Sequence, residues 1–105
     1  MTDKKIILTT TGSQEEARKI ARSLVERRLA ACVNIVSGIE SVYRWQGHVD
    51  DAEEWLLIIK TTAAAIEPVR SALRELHSYQ LPECVCLSID AGDSAYLGWI
   101  AQSVG

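Results

Sequence analysis

The first third of the chain changes from a short aliphatic run to a helical pattern of apolar positions. Residues 5–10 are mainly aliphatic and threonine, which predicts a strand. Ser13 followed three positions later by Glu16 forms a capping box, so a helix is expected to begin there. At helical spacing this helix carries Ala17, Ile20, Ala21, Leu24, Val25 and Leu29. The pattern therefore predicts a strand followed by an amphipathic helix.

The middle of the chain has the period of two that is typical of strands. Residues 31–45 predict a second strand, and Gly38 is expected to mark a bulge or bend within it. Beyond that glycine one face carries Ile39, Ser41, Tyr43 and Trp45. Residues 46–48 predict a turn, and residues 53–62 predict a third strand. This third strand is apolar on both sides, which indicates that both of its faces are covered.

The last third predicts a second long helix, a fourth strand and a short helix. Residues 65–77 form the helix, which places Pro68 in the first turn, where proline is tolerated. Residues 83–89 form the strand, and a last helix begins at about Ser94. Its inward side is expected to present Leu97, Trp99 and Ile100. The order predicts an α+β, ferredoxin-like split β-α-β-β-α-β sandwich with a short C-terminal helix and both crossover helices on one face.

Two features of this plan predict that a single chain leaves apolar surface uncovered. The second strand would reach roughly 50 Å and form a long hairpin with the third, whereas most strands have five or six residues. The helices cover one face of the sheet, yet the fourth strand alternates Cys84 and Cys86 with aliphatic residues, as expected of an interior strand. We therefore expect an oligomer of this chain, although these features do not fix the number of copies.

Length, charge and cysteine content limit the class of protein further. The 105 residues are expected to form one domain, residues 1–105, since 48% are hydrophobic and 24% charged. A net charge of −3 argues against a general nucleic-acid binder. No apolar run approaches the roughly 20 residues of a membrane span, and no signal peptide is evident. Three cysteines without disulfide or zinc spacing predict a reducing, cytoplasmic location.

The cysteines leave two interpretations open. Cys32 lies where helix gives way to strand, where it is either a partly exposed thiol near Arg27 and Arg28 or a small buried apolar side chain. Cys84 and Cys86 would share a strand face, which suits a soft ion such as Cu(I) but also suits core packing. Familiar enzyme signatures such as G-x-G-x-x-G, C-x-x-C, H-E-x-x-H and G-x-S-x-G are missing.

The connection after the second helix is the densest polar and aromatic cluster in the sequence. It brings His77, Tyr79 and Glu83 within seven residues. Loops held by a rigid scaffold often carry function, so this segment is a candidate binding site. The alternative is a helix end with a proline stop and a surface acid.

Five segments in this order resemble the CutA (divalent-cation-tolerance) family. They are Ala30-Ala31-Cys32-Val33-Asn34-Ile35, Tyr43-Arg44-Trp45-Gln46-Gly47, Glu54 with Ile59-Lys60-Thr61, His77-Ser78-Tyr79-Gln80-Leu81-Pro82-Glu83 and Tyr96-Leu97-Gly98-Trp99. The resemblance runs from about residue 6 to residue 100. It implies a ferredoxin-like protomer in a homotrimer similar to the PII signalling proteins, and no enzymatic activity.

The resemblance also implies a role and a site. The family is associated with tolerance to divalent metals, notably copper, so copper or another divalent cation is the implied ligand. The implied metal ligands are Cys32, His77 and Glu83, in a cleft between protomers that Trp45, Glu54, Lys60 and Tyr79 also line. A PII-like sensor of a small anion or aromatic molecule and a purely structural trimer stay open as alternatives. Cys84 and Cys86 are not a shared feature of the family, so a multi-thiol site cannot be transferred from relatives.

Overall fold

Four antiparallel strands form one sheet in the computed structural model, which describes residues 2–105. They are β1 (Lys4–Thr11), β2 (Cys32–Trp45), β3 (His48–Thr62) and β4 (Val85–Ser88). Their order across the sheet is β2-β3-β1-β4, so β1 pairs with both β3 and β4. The chain is therefore an α+β fold in which the first strand lies inside the sheet and the second strand lies at one edge.

Three helices join and follow the strands. They are α1 (Gln14–Glu26), α2 (Ile66–Leu76), which a 3₁₀ turn at Ala63–Ala65 precedes, and α3 (Ser94–Ser103). The predicted N-terminal cap is confirmed, because the Ser13 hydroxyl accepts the Glu16 N–H at 3.1 Å. None of the helices within residues 2–105 is long and apolar enough to cross a membrane.

The core lies between α1, α2 and one face of the sheet. Ile7, Leu57 and Ile59 are fully buried, and the strand period of two places them on this face. The helices contribute fully or almost fully buried side chains, namely Ala17, Ile20, Leu24, Val69 and Leu73. The predicted stripe of α1 is thus confirmed at its centre, whereas Val25 is 40% exposed.

A bulge at Gly38 carries the long hairpin beyond the rest of the sheet. Val36 pairs with Leu56 but Ile39 pairs with Glu54, so β2 has one extra residue there, and Gly38 has a φ of 72°. The bulge moves the odd-numbered residues of β2 that follow it, such as Tyr43 and Trp45, to the face that the helices leave open. β2 and β3 then continue as a two-stranded ribbon past the end of β1, as the sequence pattern predicts.

Two strand boundaries differ from the prediction. β3 begins at His48 rather than at residue 53, because Gln46 and Gly47, both at positive φ, close a two-residue turn. The polar residues after the turn therefore belong to the strand that pairs with β2. They are polar because this part of the strand is exposed to solvent. β4 is limited to Val85–Ser88 instead of residues 83–89, because it pairs only with Lys5–Leu8 at the sheet edge.

The second face of the sheet remains largely bare. Its central rows contain only partly buried or exposed aliphatic side chains, which are Ile6, Leu8, Val36, Leu56, Ile58, Val85 and Leu87. We call this surface the open face. The helix α3 contacts β1 and β3, and its Tyr96 lies beside Cys32 at one end of the open face. The apolar side that the pattern predicted on β3 is therefore left uncovered within one chain.

Three side chains predicted to be interior are exposed. Cys84 and Cys86 are exposed because they lie at the edge of the sheet. Trp99 is 41% exposed, whereas Leu97 is partly buried and Ile100 fully buried. Leu97 and Ile100 are three residues apart and share the buried side of α3, whereas Trp99 contacts Tyr96.

Candidate functional site

A cavity of about 530 Å³ opens where β1 ends and the hairpin continues alone. Its walls come from the end of β1, from the hairpin and from the loop after α2. The lining residues are Thr10, Ser41, Val42, Tyr43, Trp45, Glu54, Tyr79, Gln80, Leu81 and Glu83. This volume lies within the range of small-molecule sites, about 300–1,000 Å³. Aromatic and aliphatic side chains dominate the walls, and the two carboxylates are the only charged groups among the lining residues.

A hydrogen bond between Tyr79 and Glu54 links the loop to the hairpin at this cavity. The Tyr79 hydroxyl donates to Glu54 Oε2 at 2.7 Å, and Glu54 is only 8% exposed. Burial, together with the neighbouring Glu54 carboxylate, raises the pKa of Tyr79 well above its ordinary value. A Cβ atom at Gly12 would come within 3.0 Å of the Tyr79 hydroxyl, so the glycine leaves room for this ring. Tyr79 is therefore a fixed, protonated donor in the wall of the cavity.

His77 lies behind the cavity and is fully engaged by the protein. Its side chain is buried, and its Nε2–H donates to the Thr10 carbonyl oxygen at 2.7 Å. Its Nδ1 accepts the Tyr79 N–H at 3.1 Å, which requires a lone pair on that nitrogen. Both ring nitrogens are therefore used by the protein, and His77 orients the loop.

Glu16 in α1 anchors the same loop from the other side. The backbone N–H of Ser78 donates to Glu16 Oε2 at 3.1 Å, and the Ser78 hydroxyl donates to Oε1 at 2.8 Å. Together with His77, this contact fixes the start of the loop against β1 and α1. Tyr79 and Glu83 are consequently presented to the cavity by a restrained segment.

Cys32 and Lys60 lie together at a different place on the open face. They are paired residues on β2 and β3, and Lys60 Nζ is 3.8 Å from Cys32 Sγ and contacts Asn34 Oδ1. Lys60 is six residues from Glu54 along β3, which corresponds to about 20 Å. Neither residue lines the cavity, so within one chain these two predicted residues form a separate cluster.

Comparison with known proteins decides the family. A sequence model described as "CutA1 divalent ion tolerance protein" matches residues 5–103. This chain belongs to the CutA1 family. It is 48% identical over 101 residues to "Divalent-cation tolerance protein CutA" of Thermus thermophilus, which covers 96% of this chain and 98% of that protein. It is also 44% identical to "Protein CutA, chloroplastic" of Arabidopsis thaliana over 93% of this chain but only 54% of that protein.

Solved CutA1 structures have the same fold. A structure of the Thermus thermophilus protein matches with a TM-score of 0.95 at 47% identity, covering 97% of this chain and 99% of that one. The Xylella fastidiosa CutA structure matches with a TM-score of 0.97 at 38% identity, covering 99% and 100%. The resemblance found in the sequence is therefore confirmed. Relatives are described as chloroplastic or, in Archaeoglobus fulgidus, periplasmic, so membership of the family does not fix a compartment.

The structure divides the residues that sequence reasoning assigned to a CutA1 cleft. Trp45, Glu54, Tyr79 and Glu83 line one cavity, Cys32 and Lys60 lie apart, and His77 is buried behind the loop. Sequence reasoning missed six other lining residues, namely Thr10, Ser41, Val42, Tyr43, Gln80 and Leu81. Ser41 and Tyr43 could have been found from their face, which they share with Trp45. The positions of Thr10, Gln80 and Leu81 depend on where β1 ends against the loop, which no local pattern shows.

The donor set of one chain is incomplete for a metal ion. No group of three or more His, Cys, Asp and Glu side chains in residues 2–105 is arranged to hold an ion. The cavity supplies two carboxylates, Glu54 and Glu83, whose oxygens are suitable ligands for divalent cations. They fit part of a coordination shell, and further donors would have to come from outside the chain. The names of the family and of its Thermus relative concern divalent-cation tolerance and mention no reaction.

Glu83 gives a testable pH dependence. Burial, and then the nearby Glu54 carboxylate, raise the pKa of Glu83 above 4.5. The folded protein therefore favours protonated Glu83, and the stability gained at low pH is lost as pH rises through the raised pKa. Glu83→Gln should be more stable than the wild type at pH 7 in the absence of metal, and this difference should shrink towards pH 4. Thermal unfolding across this range measures it.

The matched control for this prediction is Glu26→Gln at the exposed end of α1. That substitution also removes one negative charge but lies away from the cavity, so its effect should stay small and nearly independent of pH. A Glu83→Gln variant that is less stable than the wild type at pH 7 would contradict the assigned environment of Glu83.

Proposed function

We propose that this chain is a divalent-cation tolerance protein that binds copper or another divalent cation in clefts between the protomers of a cytoplasmic homotrimer. Each protomer would be a ferredoxin-like unit. The proposal rests on an incomplete set of metal ligands: Glu54 and Glu83 face an open cavity that adjoins uncovered apolar surface. A neighbouring copy would cover that surface and complete the cleft.

The open face supports the assembly. Val85 and Leu87 are each 46% exposed, and Val36 is 41% exposed, although strand residues of this type are usually buried. The ribbon beyond the bulge adds Tyr43 and Trp45, exposed by 41% and 40%. Monomers rarely leave a contiguous apolar surface of this kind uncovered, and a two-stranded ribbon is marginally stable by itself. A three-fold arrangement would let each hairpin reach across a neighbour.

The metal ligands would then come from more than one chain. Glu83 and Glu54 would supply oxygens, and a cysteine thiolate such as Cys32 is the kind of ligand that could reach the cleft from another copy. His77 would have to release the Tyr79 N–H before its Nδ1 could bind an ion. We therefore propose Glu83 as the first ligand, with Cys32 and His77 as the additional ones. This role is binding, and no catalytic step is proposed.

A small-molecule sensor is the second candidate, because the cavity has the size and aromatic walls of a ligand site. Lys60 is not among the lining residues, and the two carboxylates disfavour the small anion, one of the two kinds of ligand considered for a sensor. An organic cation or a neutral aromatic molecule would fit this lining better. If the trimer bound neither metal ions nor small molecules, the purely structural role would be the remaining alternative.

Calorimetric titration with Cu(II) tests the proposal, using the wild type, Glu83→Gln and the control Glu26→Gln. Loss of one charged ligand should weaken Cu(II) binding by about tenfold or more, since 1.4 kcal/mol corresponds to a factor of ten. Glu26→Gln should bind as the wild type does. Equal affinity in all three proteins would contradict the site. Thermal-shift screening with organic cations would support the sensor if they stabilise the protein and Cu(II) does not.

A further inference from the structure

Cys84 and Cys86 form a pair of exposed thiols at the free edge of the sheet. Both are free cysteines, and Cys86 lies directly opposite Ile7 on β1. Because Ile7 is buried in the core, Cys86 is on the face that carries α1 and α2. Cys84 is two residues earlier, and its charged neighbours include Arg70 and Glu67 of α2, which places it on the same side. The pair therefore faces away from the open face.

The spacing of the pair suits one ion held between two sulfurs. Cys84 directly precedes β4, and residues two apart along a chain have Cα atoms at most about 7 Å apart. Two metal–sulfur bonds of about 2.3 Å would span about 4.6 Å, which the side chains reach by leaning towards each other. Each thiol is already the other's electrostatic neighbour. A pair at this distance offers two ligands and no more, which favours an ion of low coordination number.

The surroundings of the pair suit a soft, singly charged cation. Thiolates select Cu(I) over hard ions, and no third ligand is needed for linear coordination. Arg70 of α2 is a charged neighbour of Cys84. Arg70 also bonds Glu67, at 3.3 Å, which leaves its charge close to the sulfurs. A bis-thiolate complex of a monovalent ion would carry one negative charge that Arg70 could offset.

We propose that Cys84 and Cys86 form a two-coordinate site for Cu(I), which uses other ligands than the proposed divalent-cation site although Cys84 directly follows Glu83 in the sequence. Binding one Cu(I) forms two copper–sulfur bonds and releases two protons, with no change in the oxidation state of copper or sulfur. The site belongs to a single chain, because both ligands come from the same short segment. It gives the protein a second way to take up copper, in the reduced form of the ion.

An anaerobic competition titration of Cu(I) against a chromophoric chelator tests this proposal. The proteins are the wild type, Cys84→Ser, Cys86→Ser and the control Ser88→Ala, which alters an exposed residue of the same strand. We expect one tight Cu(I) per chain in the wild type and in Ser88→Ala. Each of the other two variants should bind at least about a hundredfold more weakly, because one thiolate cannot hold the ion alone. Since both positions are exposed, these variants should fold, and circular dichroism checks this.

Two outcomes would overturn the proposal: unchanged Cu(I) affinity in Cys84→Ser and Cys86→Ser, or loss of the tight Cu(I) in Ser88→Ala. Ag(I), a soft monovalent ion, provides a second probe with the same expected pattern. Because Glu83→Gln keeps both thiols, the difference between its Cu(II) titration and that of the wild type reports on the cavity. Failure of the thiol site and failure of the proposed divalent-cation site are therefore distinguishable.

Discussion

Leu87→Glu is expected to dissociate the protein into single chains. Leu87 is 46% exposed on the open face, so a glutamate there can remain solvated in one folded chain. In an assembly that covers the open face, every copy would have to bury that carboxylate without a partner. A buried unpaired charge costs several kcal/mol, so association should weaken by about a thousandfold or more. Sedimentation velocity at micromolar concentration measures the change.

The control is Val25→Glu on α1, where the apolar side chain is 40% exposed on the helical side of the molecule. The two substitutions introduce the same charge at similar exposure in one chain, and they differ only in which surface they occupy. Val25→Glu should keep the mass of the wild type. If both variants sediment as the wild type does, the open face is not the surface through which copies associate.

Leu24→Ala is expected to lower the free energy of unfolding by about 3 kcal/mol, within the 2–5 kcal/mol typical of buried leucines. Leu24 is fully buried in the cluster between α1 and the sheet. The loss combines the transfer of the missing methyl groups with a cavity that the surrounding strands cannot close. Denaturant unfolding at one fixed protein concentration measures it, because association would otherwise alter the apparent stability.

The neighbouring Val25→Ala serves as its control. Val25 is on the same helix, one residue further, but is 40% exposed, so the change should stay within about 0.5 kcal/mol. Equal losses in the two variants would show that burial against the sheet does not determine the stability of α1.

Much of the fold could be predicted because its signals are local. The helix start at Ser13 and the bulge at Gly38 each follow from a few neighbouring residues, and both predictions are confirmed. The start of β3 could not be found in this way. Residues 48–52 have no apolar face, since the ribbon that they form is exposed on both sides, and only the two-residue turn at Gln46 and Gly47 reveals the pairing.

The candidate site was less predictable because it joins distant segments. Tyr79 reaches Glu54 across 25 residues of sequence, and this contact depends on the room left at Gly12. His77 was predicted as a site residue because of the loop in which it lies. Its buried position depends on a hydrogen bond to the carbonyl oxygen of Thr10 at the end of β1. Edge exposure likewise decides the environment of Cys84, which an alternating pattern cannot distinguish from a strand in the interior.

The central claim is that other copies of the chain cover the open face and so complete the cleft beside Glu54 and Glu83. Sedimentation equilibrium of the unmodified protein at micromolar concentration tests it most directly. We predict a single species with the mass of three chains. A folded species with the mass of one chain at that concentration would contradict the claim, because the apolar strand surface would then be stable in water without a partner.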